Sequence, residues 1–202
     1  MTLTAKGKPT TEEMIMNTAI DLIEQKGYNG VSTKEIAQEA GYSEMTLFRH
    51  FGTKCGLLER AVEHKGYLVD MKTTLFEQVT YDLRKDLKKV SELYHDYNNR
   101  NAQMVLIAFQ ERHQHPFIGE TISQNPKQLK LYLIEYLNKM QDMGKVDADI
   151  CAETQAMNFL WMNLGYFLSH HLGGKVVAES SLDCFIDESV DAFVKILTYC
   201  KN

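Results

Sequence analysis

The stretch VSTKEIAQEAGYSEMTLFRHFGTK, Val31 to Lys54, carries two short helical patterns with only Gly41, Tyr42 and Ser43 between them. Three residues are too few for the crossover that joins parallel strands. Two helices joined by so short a turn cannot lie antiparallel; they cross steeply, and the outer face of the second projects away from the core. With Leu47 and Phe51 turned inward at i and i+4, the outward positions are Glu44, Met45, Thr46, Phe48, Arg49 and His50. That surface is short and polar enough to enter a major groove. Arg49 can fork onto guanine, and Thr46 can meet a thymine methyl or a phosphate. Lys54, in the first turn of the next helix, adds a point charge where free N–H groups already favour phosphate. Lys34 is the other cation within reach.

The rest of the chain is also predicted to be helical. Proline is rare (Pro9, Pro116 and Pro126), and apolar residues recur at three and four rather than two. Ile15, Ala19, Leu22 and Ile23 form one stripe, opened by Thr10 or Thr11 and stopped at Gly27. Ser32 with Glu35 reads as a capping box for a second helix through Ile36 and Ala37 to Ala40. Ser43 caps a third, closed by Gly52, and Thr53 caps a fourth through Leu57, Leu58, Ala61 and Val62. Longer helices are expected over roughly Leu68 to Asn98 with a break near Asp82, Asn101 to His113, Pro126 to Met143, Ala152 to Leu172 and Leu182 to Cys200. Asn125 and Pro126 read as a cap and first-turn pair, and Gly173-Gly174 as a stop. The expected fold is all-α. A helix-turn-helix unit over residues 1–55 precedes a larger helical bundle over 56–202.

Composition sets limits on the function. With 202 residues and 44% hydrophobic content the chain can bury a real core. Net charge is −5, and neither part of the chain divided after Lys65 is basic: 8 Lys and Arg stand against 9 Asp and Glu up to and including it, 14 against 18 after it. A nucleic-acid role therefore rests on where individual cations point. The opening residues lack a secretory pattern and no window has the length of a membrane span, so a cytoplasmic protein is expected. Cys55, Cys151, Cys184 and Cys200 lie far apart and are expected as reduced thiols. Cys55, near a helix start, is either a plain small residue or a thiol of lowered pKa.

The segment GYNGVSTKEIAQEAGYSEMTLFRHFGTKCGLL resembles the tetracycline-repressor (TetR) family of bacterial transcription regulators. It has the Thr-x-x-x-Ile-Ala helix, the Ala-Gly-aromatic-Ser turn, Thr-Leu-aromatic-x-His-Phe, and a Lys before a Leu. The resemblance implies DNA contacts from Thr33, Lys34, Ser43, Glu44, Met45, Thr46, Phe48, Arg49, His50 and Lys54. It also implies a homodimer formed by the last two helices and a pocket for a small-molecule effector in the bundle. Two departures matter. Phe48 stands where the family usually has a tyrosine whose hydroxyl touches phosphate. Cys55 and Gly56 stand where acidic residues usually follow the lysine, and Gly56, with its lower helix propensity, is expected to loosen the fourth helix.

Bland readings compete at several sites. His50 is either a DNA contact or a ring packed on the first helix. The apolar face of Met157, Leu160, Leu164 and Leu168, with the stripe Ile186, Val190, Phe193, Val194 and Leu197 beside it, is either core or dimer interface; a four-helix interface accounts better for a helix apolar nearly all round. Tyr94, Tyr97, Met104, Phe109, Tyr132, Tyr136, Met140, Trp161 and Tyr166 are candidates for lining a pocket, although most such residues are core. Glu111 and Glu135 are candidate selectors of a cation. His113-x-His115 and His170-His171 lack the i, i+4 spacing of a helical metal site, and no cofactor or metal is expected. Nothing resembles a hydrolytic triad or a phosphate loop, so no enzyme is expected. The function expected is a ligand-responsive repressor binding a near-palindromic operator in double-stranded DNA. The alternatives are a helical enzyme or metal-binding protein whose N-terminal unit docks a partner, and an architectural DNA-binding protein without effector.

Overall fold

The computed structural model describes residues 9–64, 79–111, 116–173, 177 and 179–198. The expectations for residues 68–78, the side chain of Val62, His113, His115, Gly174 and Cys200 lie outside them. All regular structure among the described residues is helical: α1 (Thr11–Lys26), α2 (Thr33–Glu39), α3 (Glu44–Phe51), α4 (Lys54–His64), α5 (Leu83–Arg100), α6 (Ala102–Glu111), α7 (Pro116–Asp142), α8 (Ala152–Gly173) and α9 (Leu182–Leu197). The chain divides into two compact units, Met1–Leu68 with Gln103–Ser123, and Val69–Ala102 with Gln124–Asn202.

In the first unit the starts of α1 to α4 are written locally. The Thr10 hydroxyl accepts from the Glu13 amide at 3.2 Å, and the Glu13 carboxylate accepts from the Thr10 amide at 2.7 Å, closing a reciprocal cap on α1. Ile15, Ala19, Ile20 and Ile23 are buried on one stripe, and α1 stops at Gly27, whose φ is +73°. At α2 only half of the expected box forms. Ser32 Oγ accepts from the Glu35 amide at 3.1 Å, whereas the Glu35 carboxylate pairs with Lys26 Nζ at 2.5 Å. That hydrogen bond is the main reason the Glu35 pKa is lowered. Gly41, at φ +80°, makes the turn into α3. On α6, Gln103 Nε2 donates to Glu24 Oε2 at 2.5 Å and to Asp21 Oδ1 at 3.3 Å, fastening it to α1.

The second unit is built on α5, which packs against α8 and α9. Asp82 caps α5 through the Lys85 amide at 3.0 Å, which places the expected break at a helix start. Leu87 and Val90 of α5, Leu133, Leu137 and Met140 of α7, Ala156 and Phe159 of α8, and Val190 and Phe193 of α9 share one core. Ring contacts between Phe159 and Phe193 and between Tyr166 and Phe185 set α8 and α9 side by side and antiparallel. Arg84 bridges to Asp191 at 2.5 Å, and Lys88 to Asp187 at 2.5 Å, along the outside of α5 and α9.

One helix start differs from expectation. Pro126 lies inside α7, which begins at Pro116. A proline at the first turn gives up no hydrogen bond, so Pro116 suits the start. Pro126 leaves the Ile122 carbonyl without its usual partner. Asn125 is therefore no cap: its buried side chain donates from Nδ2 to the Tyr97 hydroxyl at 2.9 Å.

Candidate nucleic-acid interface

The outward face of α3 is set by its two ends. Ser43 Oγ accepts from the Thr46 amide at 3.2 Å and lies 2.9 Å from Thr46 Oγ1, and Gly52 closes the helix at φ +69°. Between them Leu47 is fully buried and Phe51 half-buried, which fixes the rotation of the helix. Met45 is consequently 80% exposed and Phe48 45% exposed, with Arg49 exposed beside them. Lys34, on α2, is exposed as well.

The other expected contact residues are engaged within the unit. Thr33 Oγ1 donates to Glu44 Oε1 at 2.6 Å, joining α2 to α3. His50 Nδ1 lies 3.1 Å from Glu12 Oε1, so its ring is tied to α1. Lys54, expected to aim its charge outward, turns its ammonium toward the carbonyls of Tyr28 and Val31 and sits 4.0 Å over the Tyr28 ring. The exposed face of α3 thus carries two large apolar side chains, Met45 and Phe48, beside the cation Arg49.

Gly56 overturns the expectation of a loose α4. A Cβ built there would lie 2.4 Å from the Phe51 carbonyl oxygen, and the Gly56 amide donates to Thr53 Oγ1 at 2.9 Å. The residue is a point of close approach between the end of α3 and the start of α4. Gly56→Ala, which propensity alone would make stabilising, is expected to destabilise the unit by about 1–3 kcal/mol, as overpacking against backbone does. The thermal midpoint checks this; a midpoint equal to or above that of the unaltered protein contradicts it. At Cys55, burial and the Glu59 carboxylate, 3.8 Å from Sγ, raise the thiol pKa, which removes the reading as an activated thiol.

The residues expected to line one pocket are dispersed. Tyr132 and Tyr136 border a cleft of about 540 Å³ with Tyr81, Glu135, Lys139 and Asp142, and Tyr166 borders a second space of about 320 Å³. Tyr94 and Met140 are buried in the core of the second unit, where burial raises the Tyr94 pKa. Tyr97 is bonded to Asn125, and burial pushes its pKa up to about 12. Met104 and Phe109 belong to α6 and the first unit, and Trp161 is 64% exposed on α8. Adaptable aromatic residues at helical spacing serve core and pocket alike, which is why composition alone gathered them together.

The expected interface residues separate in the same way. Leu160, Ile186, Val190, Phe193 and Leu197 are buried within the single chain and are core rather than interface, because α9 is covered by α5 and α8. Met157, Leu164, Leu168 and Val194 are half-buried. The exposed large apolar groups of these two helices are Trp161 and Leu172 on α8 and Ile196 on α9. His171 Nε2 lies 3.1 Å from Asn99 Oδ1, and among the described residues no three His, Cys, Asp or Glu side chains gather as metal ligands. The sequence reading missed His95, which occupies a core register position of α5 and is buried. Its place one residue after Tyr94 on the apolar stripe was the available sign.

Comparison with known proteins bears on this arrangement. The family model described as bacterial regulatory proteins, tetR family, matches residues 15–61. An uncharacterized HTH-type transcriptional regulator of Bacillus subtilis, YvkB, is 30% identical over 186 residues, 92% of this chain and 96% of that one. A probable HTH-type regulator of the same organism, YttP, is 26% identical over 106 residues, 52% of this chain and 51% of its own. Among solved structures, the TetR family regulator PfmR of Thermus thermophilus superposes with a TM-score of 0.70 at 19% identity, covering 90% of this chain and 97% of its own. The fatty acid degradation regulator FadR of Bacillus halodurans gives 0.68 at 17% identity, covering 95% and 97%. No helix among the described residues is long and apolar enough to cross a membrane.

Proposed function

Since this chain belongs to the TetR family of bacterial transcriptional regulators, we propose that it acts in the cytoplasm as a homodimeric repressor. It binds a near-palindromic operator through two copies of α3 and is released by a small molecule. Residues 1–55 read DNA, and residues 56–202 dimerise and hold the effector. The observation that carries the reading is the outward surface of α3, where Met45, Phe48 and Arg49 stand exposed while Leu47 holds the helix in the core.

Each exposed group has a partner in a major groove. Arg49 is suited to the O6 and N7 of guanine, and Met45 and Phe48 to thymine methyl groups. Lys34 meets phosphate, and Lys54 adds charge near the backbone while its hydrogen bonds hold the loop between α1 and α2. Glu44 and His50 orient the head through Thr33 and Glu12. The two heads must reach successive major grooves about 34–36 Å apart, so an effector that changes their separation weakens both contacts together.

Selection of bound duplexes from a random pool tests the reading. The selected sites are expected to be two-fold related, with binding that falls steeply as salt rises. Arg49→Ala is expected to cost about 1–3 kcal/mol and to relax one position in each half-site. A selection that yields no preferred sequence, or a variant that keeps every preference, would sink the assignment of α3 as the reading helix.

A further inference from the structure

The space beside Tyr166 contains a buried acceptor without a partner. His95 is 1% exposed, and its Nε2 has no hydrogen-bond partner among the described residues. Its ring is held edge-on by Tyr94, Tyr166 and Phe185, with centroids 5.5, 5.5 and 5.8 Å away. The other ring nitrogen faces Asn163, a side chain that is itself fixed: Nδ2 donates to the Phe159 carbonyl at 2.8 Å and Oδ1 accepts from Ser91 Oγ. Asn163 therefore turns its oxygen toward His95, so the imidazole carries its proton on Nδ1 and offers a bare lone pair at Nε2. Burial pushes the His95 pKa down to about 4, against a smaller upward push from Asn163, which keeps the ring neutral near pH 7.

His95 forms part of the wall of a space of about 320 Å³ between α5, α8 and the residues leading into α9. Tyr166, Phe167 and Leu182 supply apolar wall, and Asn99 and Ser181 polar wall. Among the described residues that line it there is no Lys or Arg, and Glu179 adds a negative charge, which disfavours an anion. A buried acceptor left unsatisfied costs about as much as a lost hydrogen bond, so the site favours a guest that brings a donor. Its volume is at the small end of the range for ligand pockets.

We propose that this pocket binds a small neutral phenol, whose hydroxyl donates to His95 Nε2 while its ring lies against Tyr166 and Phe167. The site deepens the effector reading above, but it is tested on the protein without DNA, so that either can fail alone. Phenol and anisole, which has the same ring and no donor, are titrated by calorimetry. Phenol is expected to bind about tenfold more tightly, and His95→Phe to bring phenol down to the level of anisole. Ser180→Trp, at an exposed position of the rim, is expected to abolish binding of both. Should His95→Phe not fold, the ¹⁵N signal of Nε2 in the unaltered protein is expected to shift with phenol and to stay in place with anisole. Equal affinity for the two probes, no binding of phenol, or an Nε2 signal indifferent to phenol overturns the proposal and leaves His95 to a water molecule.

Discussion

Replacing Trp161 and Ile196 together by glutamate is expected to leave a folded monomer that no longer holds operator DNA. Both side chains are more than half exposed in the single chain, at 64% and 55%, so the substitutions remove no core contact. A dimer that closes over the exposed apolar groups of α8 and α9 would bury two carboxylates per chain without counter-charges, at about 3–5 kcal/mol for an uncompensated buried charge. The effect on DNA is larger than that on either half-site. Two heads on one dimer bind with an effective concentration that a monomer lacks, and its loss lowers affinity by about 10²–10⁴. Sedimentation of the variant, followed by titration with the selected duplex, checks both steps. A variant that still sediments as a dimer would move the interface away from α8 and α9. Val194, part of the apolar stripe on α9, is a poorer test, because it is half-buried against the core and a carboxylate there would disturb the monomer too.

Lys54→Met is expected to lower the thermal midpoint by about 5–15 °C, the shift that about 2–4 kcal/mol produces in a chain of this size. Methionine keeps the apolar stem but removes the ammonium that donates to the Tyr28 and Val31 carbonyls. Hydrogen bonds to a charged group contribute about 1.5–3 kcal/mol, and the cation over the Tyr28 ring adds about 0.5–1. Those carbonyls flank the loop that carries the chain from α1 into α2, so its loosening displaces the cap at Ser32. Binding is expected to weaken alike for all DNA sequences, because the loosened loop carries no base contact. A midpoint unchanged by the substitution would show that the lysine holds nothing inside the head.

The parts of this molecule that were legible in its sequence are those settled within one turn of chain. Thr10 with Glu13, Ser43 with Thr46, Gly27, Gly41 and Gly52 each act on neighbours three or four residues away, and the helix boundaries of the head followed from them. Where a second partner competes from further along, the local rule lost. Glu35 turned to Lys26 rather than to its own cap, and Lys54 turned inward to carbonyls that a charge count cannot see. Pro126 sits in α7 because nothing local states whether a proline opens a helix or interrupts one already begun at Pro116. The stripe on α9 was visible as apolar, but which neighbour covers it is a tertiary question, and Ile186, Val190, Phe193 and Leu197 are covered by their own chain. Gly56 gives the clearest physical lesson: propensity concerns the helix alone, whereas the Phe51 oxygen 2.4 Å from its absent Cβ belongs to the helix before.

The caps of the head bear on how it fails as well as on how it is built. Thr10, Ser32, Ser43 and Thr53 each use a hydroxyl to satisfy an amide at a helix start. Yet α2 has 7 residues and α3 has 8, well short of the roughly 12–15 at which a helix begins to persist alone in water. The caps choose where these helices begin without making them self-supporting. Their persistence comes from Leu47, Ile36 and Ala37 reaching the shared interior, so neither helix can fray while the other stays intact. Opening of the head is therefore a single cooperative event, in which recognition of DNA is either wholly present or wholly lost.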